Sequence, residues 1–194
     1  MKELTILLIV LIVIFIYINF LRKSIHLDLV ESTINNQKYY VRKLPDAQEA
    51  ADKLARLSSD LLQLMNHIRG KDKEGVERLI DNFDTDIITE NIPGSMYVAY
   101  SVNKGDELSI CIRDKDTDEF IDQNTIIFVA IHELAHIMTD ETGHTPKFWN
   151  NMKYLLEQGS EIGIYTPVDY SSSPVMYCGE EINIGCSEPS GFDG

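Results

Sequence analysis

His132-Glu133-Leu134-Ala135-His136 sets two imidazoles four residues apart with a carboxylate between them. On an α-helix such positions lie about 40° apart around the axis and ~6 Å apart along it. Both rings therefore point the same way, and each can offer a nitrogen to one metal ion. Glu133 projects beside the pair, where a carboxylate can take a proton from an attacking water while staying off the metal. The lead-in, Ile126-Ile127-Phe128-Val129-Ala130-Ile131, is apolar, so the histidines continue a buried helix rather than a solvated face. Asp122-Gln123-Asn124-Thr125 supplies the cap at which that helix begins.

A catalytic zinc takes three protein ligands and leaves one position for water. Beyond His136 the chain reads Ile137-Met138-Thr139-Asp140-Glu141-Thr142-Gly143-His144. Its turn-prone residues and Gly143 end the helix near Thr139 and double the chain back, which delivers His144 as the third ligand. The alternatives are a downstream carboxylate, Glu157 or Glu161, and, more weakly, Asp140 at the helix end. Two histidines at i and i+4 can also be purely structural, with Glu133 a solvated helix residue. The apolar helix beneath them and His144 within reach favour the metal.

Together with Gly143-His144-Thr145-Pro146-Lys147-Phe148-Trp149, these residues resemble the WLM and SprT-like metallopeptidases over about residues 96–170. That group shares the HExxH helix, a third histidine shortly after it and a following helix packed beneath the site. The resemblance implies an α+β, zincin-like domain, with a small sheet and hairpin over the HExxH helix. It implies Zn2+ on His132, His136 and His144, Glu133 as catalytic base, and a protein or peptide substrate. The likeness is greatest to membrane-anchored WLM-like proteins of large DNA viruses. The chain departs from the nuclear, DNA-repair members in opening with an apolar segment and in being acidic, which counts against a role on DNA–protein crosslinks.

Leu4 to Leu21 is nearly unbroken Leu, Ile, Val and Phe, interrupted by Thr5, Tyr17 and Asn19. A helix of that length rises about 27 Å, close to the thickness of a hydrocarbon core. Asn19-Phe20-Leu21-Arg22-Lys23 lacks the small residues of a cleavage site, so residues 1–23 read as an uncleaved transmembrane anchor. Arg22 and Lys23 flank its far end while Lys2 at the near end is opposed by Glu3, so the positive-inside rule puts the catalytic domain in the cytoplasm by a margin of a charge or two. Three cysteines suit that side. They read as thiols, although Cys178 and Cys186 would pair in an oxidising space. The chain carries 17 Lys and Arg against 31 Asp and Glu, a net charge of −14. A surface so acidic repels phosphate backbones, which argues against nucleic acid as a partner.

Residues 24–186 are long enough for one domain with a real core. Lys38 to Leu44 has strand character, and Pro45-Asp46 reads as a stop followed by an N-cap. From Ala47 to Ile68 apolar residues recur with a 3.6-residue period, the mark of an amphipathic helix. His67, near its end, reads as a surface residue rather than a ligand. A shorter helix from about Lys73 to Asn82 is expected to cover the first. Met96–Val102 and Glu107–Arg113, joined by a polar turn, read as a β-hairpin. One of its strands either pairs with substrate by β-addition or simply completes the core. Thr145 to Gln158 forms the helix after the site, with Phe148 and Trp149 packing to set His144. Beyond Gly163 an extended segment is expected to fold on the domain, and residues 187–194 form a loose tail. Tyr165, Tyr154, Tyr170 and Tyr177 are candidate oxyanion donors. The competing functional class is a membrane-tethered binding or virion structural protein whose zinc is non-catalytic.

Overall fold

The computed structural model describes residues 4–12, 14, 25–84, 87–92, 99–102 and 107–184. Strands β1 (Leu27–Glu31) and β2 (Lys38–Arg42) pair antiparallel with Leu29 opposite Tyr40. Only the second was legible, because Leu-Asp-Leu-Val-Glu carries charge at two of its five positions. Helix α1 (Ala47–Ile68) runs over the range its periodicity predicts, and its apolar stripe from Ala50 to Ile68 is buried. Its N-terminus differs from expectation. Asp46 occupies the cap position without making a side-chain cap bond, because both its oxygens accept from Arg113, at 2.7 and 2.8 Å.

Strands β3 (Ile88–Glu90), β4 (Ala99–Val102) and β5 (Glu107–Ile110) form a sheet in the order β3-β5-β4. The β4–β5 pair is the expected hairpin, with Ala99 opposite Ile110. Its turn, residues 103–106, lies outside the described residues. Strand β3 adds on parallel to β5, with Ile88 opposite Leu108. Central strand β5 is then covered on both faces: Leu108 and Ile110 are buried, and so is the intervening Ser109. Just beyond it, the fully buried Arg113 ties three pieces of chain together. It pairs with Asp46 ahead of α1 and with Glu90 of β3, and its guanidinium stacks over Phe120 at 4.0 Å.

Helix α2 (Val76–Asn82) starts later than expected and packs chiefly on the next helix, α3 (Gln123–Met138), rather than covering α1. Gly75 sets that contact. Its φ is +89°, and a Cβ there would stand 2.4 Å from the Met138 carbonyl oxygen. Asp122 caps α3 by accepting from the Thr125 amide at 3.0 Å. Helix α4 (Pro146–Glu161) lies against α3 and buries Phe148, Met152, Leu155 and Leu156. Asn124 then anchors the extended segment after α4. Its amide donates to the Thr166 carbonyl and accepts from the Thr166 N–H, at 2.8 and 2.7 Å, as a neighbouring strand would.

A last hairpin, β6 (Val175–Tyr177) and β7 (Glu180–Ile182), turns through Cys178 and Gly179, both at positive φ. That suits a two-residue hairpin turn. The expected thiol state is corrected here: Cys178 is disulfide-bonded to Cys111, 67 positions earlier. Cys186, the partner considered from sequence, lies outside the described residues, as do the residues of the expected tail. Spacing along the chain could not reveal the bond, since it forms between a strand end and a hairpin turn brought together only by folding.

Residues 4–12 and 14 are helical, with their apolar side chains exposed. Among the described residues no helix is long and apolar enough to cross a membrane. Residues 4–12 alone rise about 14 Å, less than half of a ~30 Å hydrocarbon core. Of the remainder of the expected span, all but residue 14 lies outside the described residues.

Candidate metal centre

The site is assembled by one helix, the turn that ends it and the helix that follows. His132 and His136 share one face of α3, and their Nε2 atoms stand 3.1 Å apart. The helix stops at Thr139, whose hydroxyl donates to the Ala135 carbonyl at 2.7 Å and accepts from Asn151 of α4 at 3.0 Å. That link fixes where α4 begins relative to where α3 ends. Between them Gly143, at φ +82°, reverses the chain. Lys147 braces the turn by donating to Asp140 and to Glu74, each at 2.7 Å. His144 thereby returns to the helix, with its Nε2 3.1 Å from that of His132.

One ring nitrogen from each of His132, His136 and His144 lies within 4.8 Å of the others. Tetrahedral zinc with bonds of about 2.0–2.1 Å would set its nitrogens about 3.3–3.4 Å apart, close to the two spacings above. The donor set suits zinc in a second way. Burial, and then the positive charges that His136 and His144 would carry, holds His132 well below the ordinary histidine value, in the neutral form that ligates. Beneath the three rings lies Phe148, its ring centroid 4.9, 4.3 and 4.7 Å from those of His132, His136 and His144. Trp149 flanks His144 at 5.6 Å. The expectation that these aromatics set His144 was too narrow, since Phe148 floors all three histidines.

The other acidic candidates are engaged elsewhere. Asp140 pairs with Lys147, and Glu161 lies 3.4 Å from His67 at the far end of α4, while Glu157 is exposed. Among the described residues none of the three joins the histidine group. His67 also stays apart from it, half-buried between Glu161 and Lys71.

Glu133 sits half-buried on α3 beside His132. The tyrosines sort by position. The Tyr165 hydroxyl accepts from the Val168 amide at 3.3 Å, and that of Tyr170 stands 3.4 Å from Thr125 Oγ1. Tyr154 lies under Lys73, and the first cause of its raised pKa is burial, with Glu161 second. Tyr177 is fully buried and donates to the Cys111 carbonyl at 2.6 Å. Burial, and then the nearby Glu133 carboxylate, pushes its phenol well above the usual range. A hydroxyl so enclosed does not face substrate. Its bond to the Cys111 carbonyl is a feature that the sequence reading missed. The available signal was Tyr177-Cys178-Gly179, a hairpin turn carrying a cysteine.

The family model for the WLM domain matches residues 32–175. An uncharacterised protein of Acanthamoeba polyphaga mimivirus is 33% identical over 156 residues, covering 77% of this chain and 79% of that one. An uncharacterised protein of Invertebrate iridescent virus 6 is 29% identical over 143 residues, covering 68% and 78%. Among solved structures, Wss1 from Saccharomyces cerevisiae is similar with a TM-score of 0.49 at 18% identity, over 63% of this chain and 86% of that one.

Proposed function

This chain belongs to the WLM domain family, and from that premise we propose that it is a zinc-dependent metallopeptidase that hydrolyses peptide bonds. The observation that carries the reading is the convergence of His132, His136 and His144, with Glu133 on the same helix as two of them. In this reading the three histidines hold the ion. Bound zinc supplies a Lewis acid that lowers the pKa of a water and polarises a carbonyl. Glu133 takes the proton of the attacking water and passes it to the leaving amine. Phe148 keeps the underside of the site dry and the rings in register. Strand β4, at one side of the three-stranded sheet, is the strand offered for β-addition of an extended peptide.

The reading that competes is a binding or virion structural protein with a non-catalytic ion. A structural zinc is closed by four protein ligands. The metal-capable group among the described residues has three members, which favours catalysis. The acidic balance of the chain favours a protein over a nucleic-acid substrate. Tethering through the apolar run Leu4–Leu21 is proposed on the sequence pattern alone, and the flanking charges place the domain on the cytoplasmic side, a placement against which the Cys111–Cys178 disulfide counts.

The test is a matched pair of variants assayed on a peptide library with zinc content measured. Glu133→Gln should keep its zinc and lose at least about a hundredfold in turnover. His144→Ala should lose its zinc on dialysis. A Glu133→Gln protein that cleaves as fast as the parent refutes the assignment of the base, and a His144→Ala protein that retains its metal moves the third ligand elsewhere.

A further inference from the structure

His132 and His136 ride on α3 itself, so the helix sets their spacing. His144 does not. It lies on the turn between the end of α3 and the start of α4, and its place depends on how those two helices sit together. Much of what α4 buries is apolar, through Phe148, Met152, Leu155 and Leu156. Apolar burial has no direction, and a slip of one residue moves a helix about 1.5 Å along its axis. A zinc–nitrogen bond tolerates about 0.2 Å. Burial alone therefore does not locate the third ligand finely enough.

A directed contact does. Asn151 Nδ2 donates to Thr139 Oγ1 at 3.0 Å, and that hydroxyl donates onward to the Ala135 carbonyl at 2.7 Å. Thr139 is 0% exposed and Asn151 2%, so water has no access to compete for the bond. Asn151 follows Phe148 by three residues on α4, on the same side as the ring that floors the three histidines. The stretch from Thr139 through His144 to Asn151 is thus closed on itself by one buried hydrogen bond. Lys147 adds outer ties to Asp140 and Glu74, but those side chains are 45% and 78% exposed, and such pairs are screened and weak. The buried amide is the firmer hold.

We propose that Asn151 is a positioning residue for the metal centre: its bond to Thr139 fixes α4 against the end of α3 and so keeps His144 within reach of an ion on His132 and His136. The proposal rests on the reading of His144 as the third ligand. Without the bond the two α3 histidines stay where the helix puts them, and the third is held loosely.

The full-length chain, in detergent, is stripped of metal and titrated with zinc against a chromophoric chelator. A second sample is loaded with Co2+ for its visible spectrum, and far-UV circular dichroism checks that each protein is folded. Asn151→Leu removes the link while the Thr139 hydroxyl keeps its bond to Ala135. Its zinc dissociation constant should rise about tenfold or more, the scale on which residues that orient metal ligands act. Its cobalt bands should move or weaken, because they follow ligand geometry rather than overall stability. Thr139→Val should behave alike, and it decides the matter if Asn151→Leu does not fold. Thr139→Ser keeps the hydroxyl and should bind zinc within about twofold of the parent. Parental zinc binding in folded Asn151→Leu, weakened binding with parental cobalt bands, or a Thr139→Ser protein as weak as Thr139→Val overturns the proposal. His144→Ala separates the two readings. If it holds zinc as the parent does, the third-ligand assignment has failed. If it loses zinc while Asn151→Leu keeps it, only the present inference has.

Discussion

Arg113 shows how much one side chain can organise. Its guanidinium is 1% exposed, as is the Glu90 carboxylate it binds at 2.8 Å, and Asp46 takes both remaining faces of the fork. Such a pair is weak evidence for stability while intact, because desolvating two charges offsets most of their attraction. Breaking it is another matter. Arg113→Ala would leave Glu90 inside the protein without its cation and should cost about 3–5 kcal/mol, read as a lowered urea midpoint. A midpoint within the error of the parent would show that water or Arg42 replaces the lost partner. At the same scale, His132, His136 and His144 were identifiable as candidates from residue type and spacing. Phe148 under all three rings was not, since nothing in a linear pattern tells which neighbours an aromatic will touch.

Two carboxylates, Asp46 and Asp52, join elements across the fold. Asp46 links the start of α1 to Arg113, and Asp52 docks the β1–β2 turn on α1 by accepting from Ser32 Oγ, Thr33 N and Thr33 Oγ1 at 2.7, 2.7 and 2.8 Å. The Arg113 hydrogen bond holds Asp46 below its ordinary value of 3.8. For Asp52, burial acts to raise the pKa but is outweighed by the hydroxyl and amide donors around it, so this group too lies below 3.8. A folded-state pKa below the unfolded one means that the unfolded chain binds protons first as the medium is acidified. The stability these groups contribute is complete above 3.8 and is lost as pH falls through their lower folded values. Urea midpoints measured between about pH 2 and 6 should therefore decline on the acid side. Asp52→Asn should flatten that decline, and an unchanged slope would remove Asp52 from the account. Helix α1 was readable from its period, as were α3 and α4 from their caps. Strands β1, β3, β6 and β7 were not, because segments of three to five residues carry too few positions to establish an alternation.

Across the whole molecule, three features bear on where the protein works. The apolar run at Leu4–Leu21 is the tether of the proposed reading, and the chain's net charge of −14 disfavours contact with anionic surfaces. The tether is tested by washing membranes from expressing cells at alkaline pH: a spanning segment keeps the chain in the pellet, and release into the wash denies it. The Cys111–Cys178 bond adds a condition that residue counting did not suggest, since disulfides persist in oxidising compartments and open in reducing ones. The metal-binding helix, its cap, the stop at Thr139 and the return to His144 are local consequences of order along the chain. Helical period, capping and turn chemistry act over a few residues, so the sequence alone determined them. The join of Cys178 to Cys111, the burial of Arg113 against Glu90, the parallel addition of β3 and the bond from Tyr177 to the Cys111 carbonyl each unite residues far apart in sequence. Packing decided those, because proximity between distant segments is set only once the whole core closes.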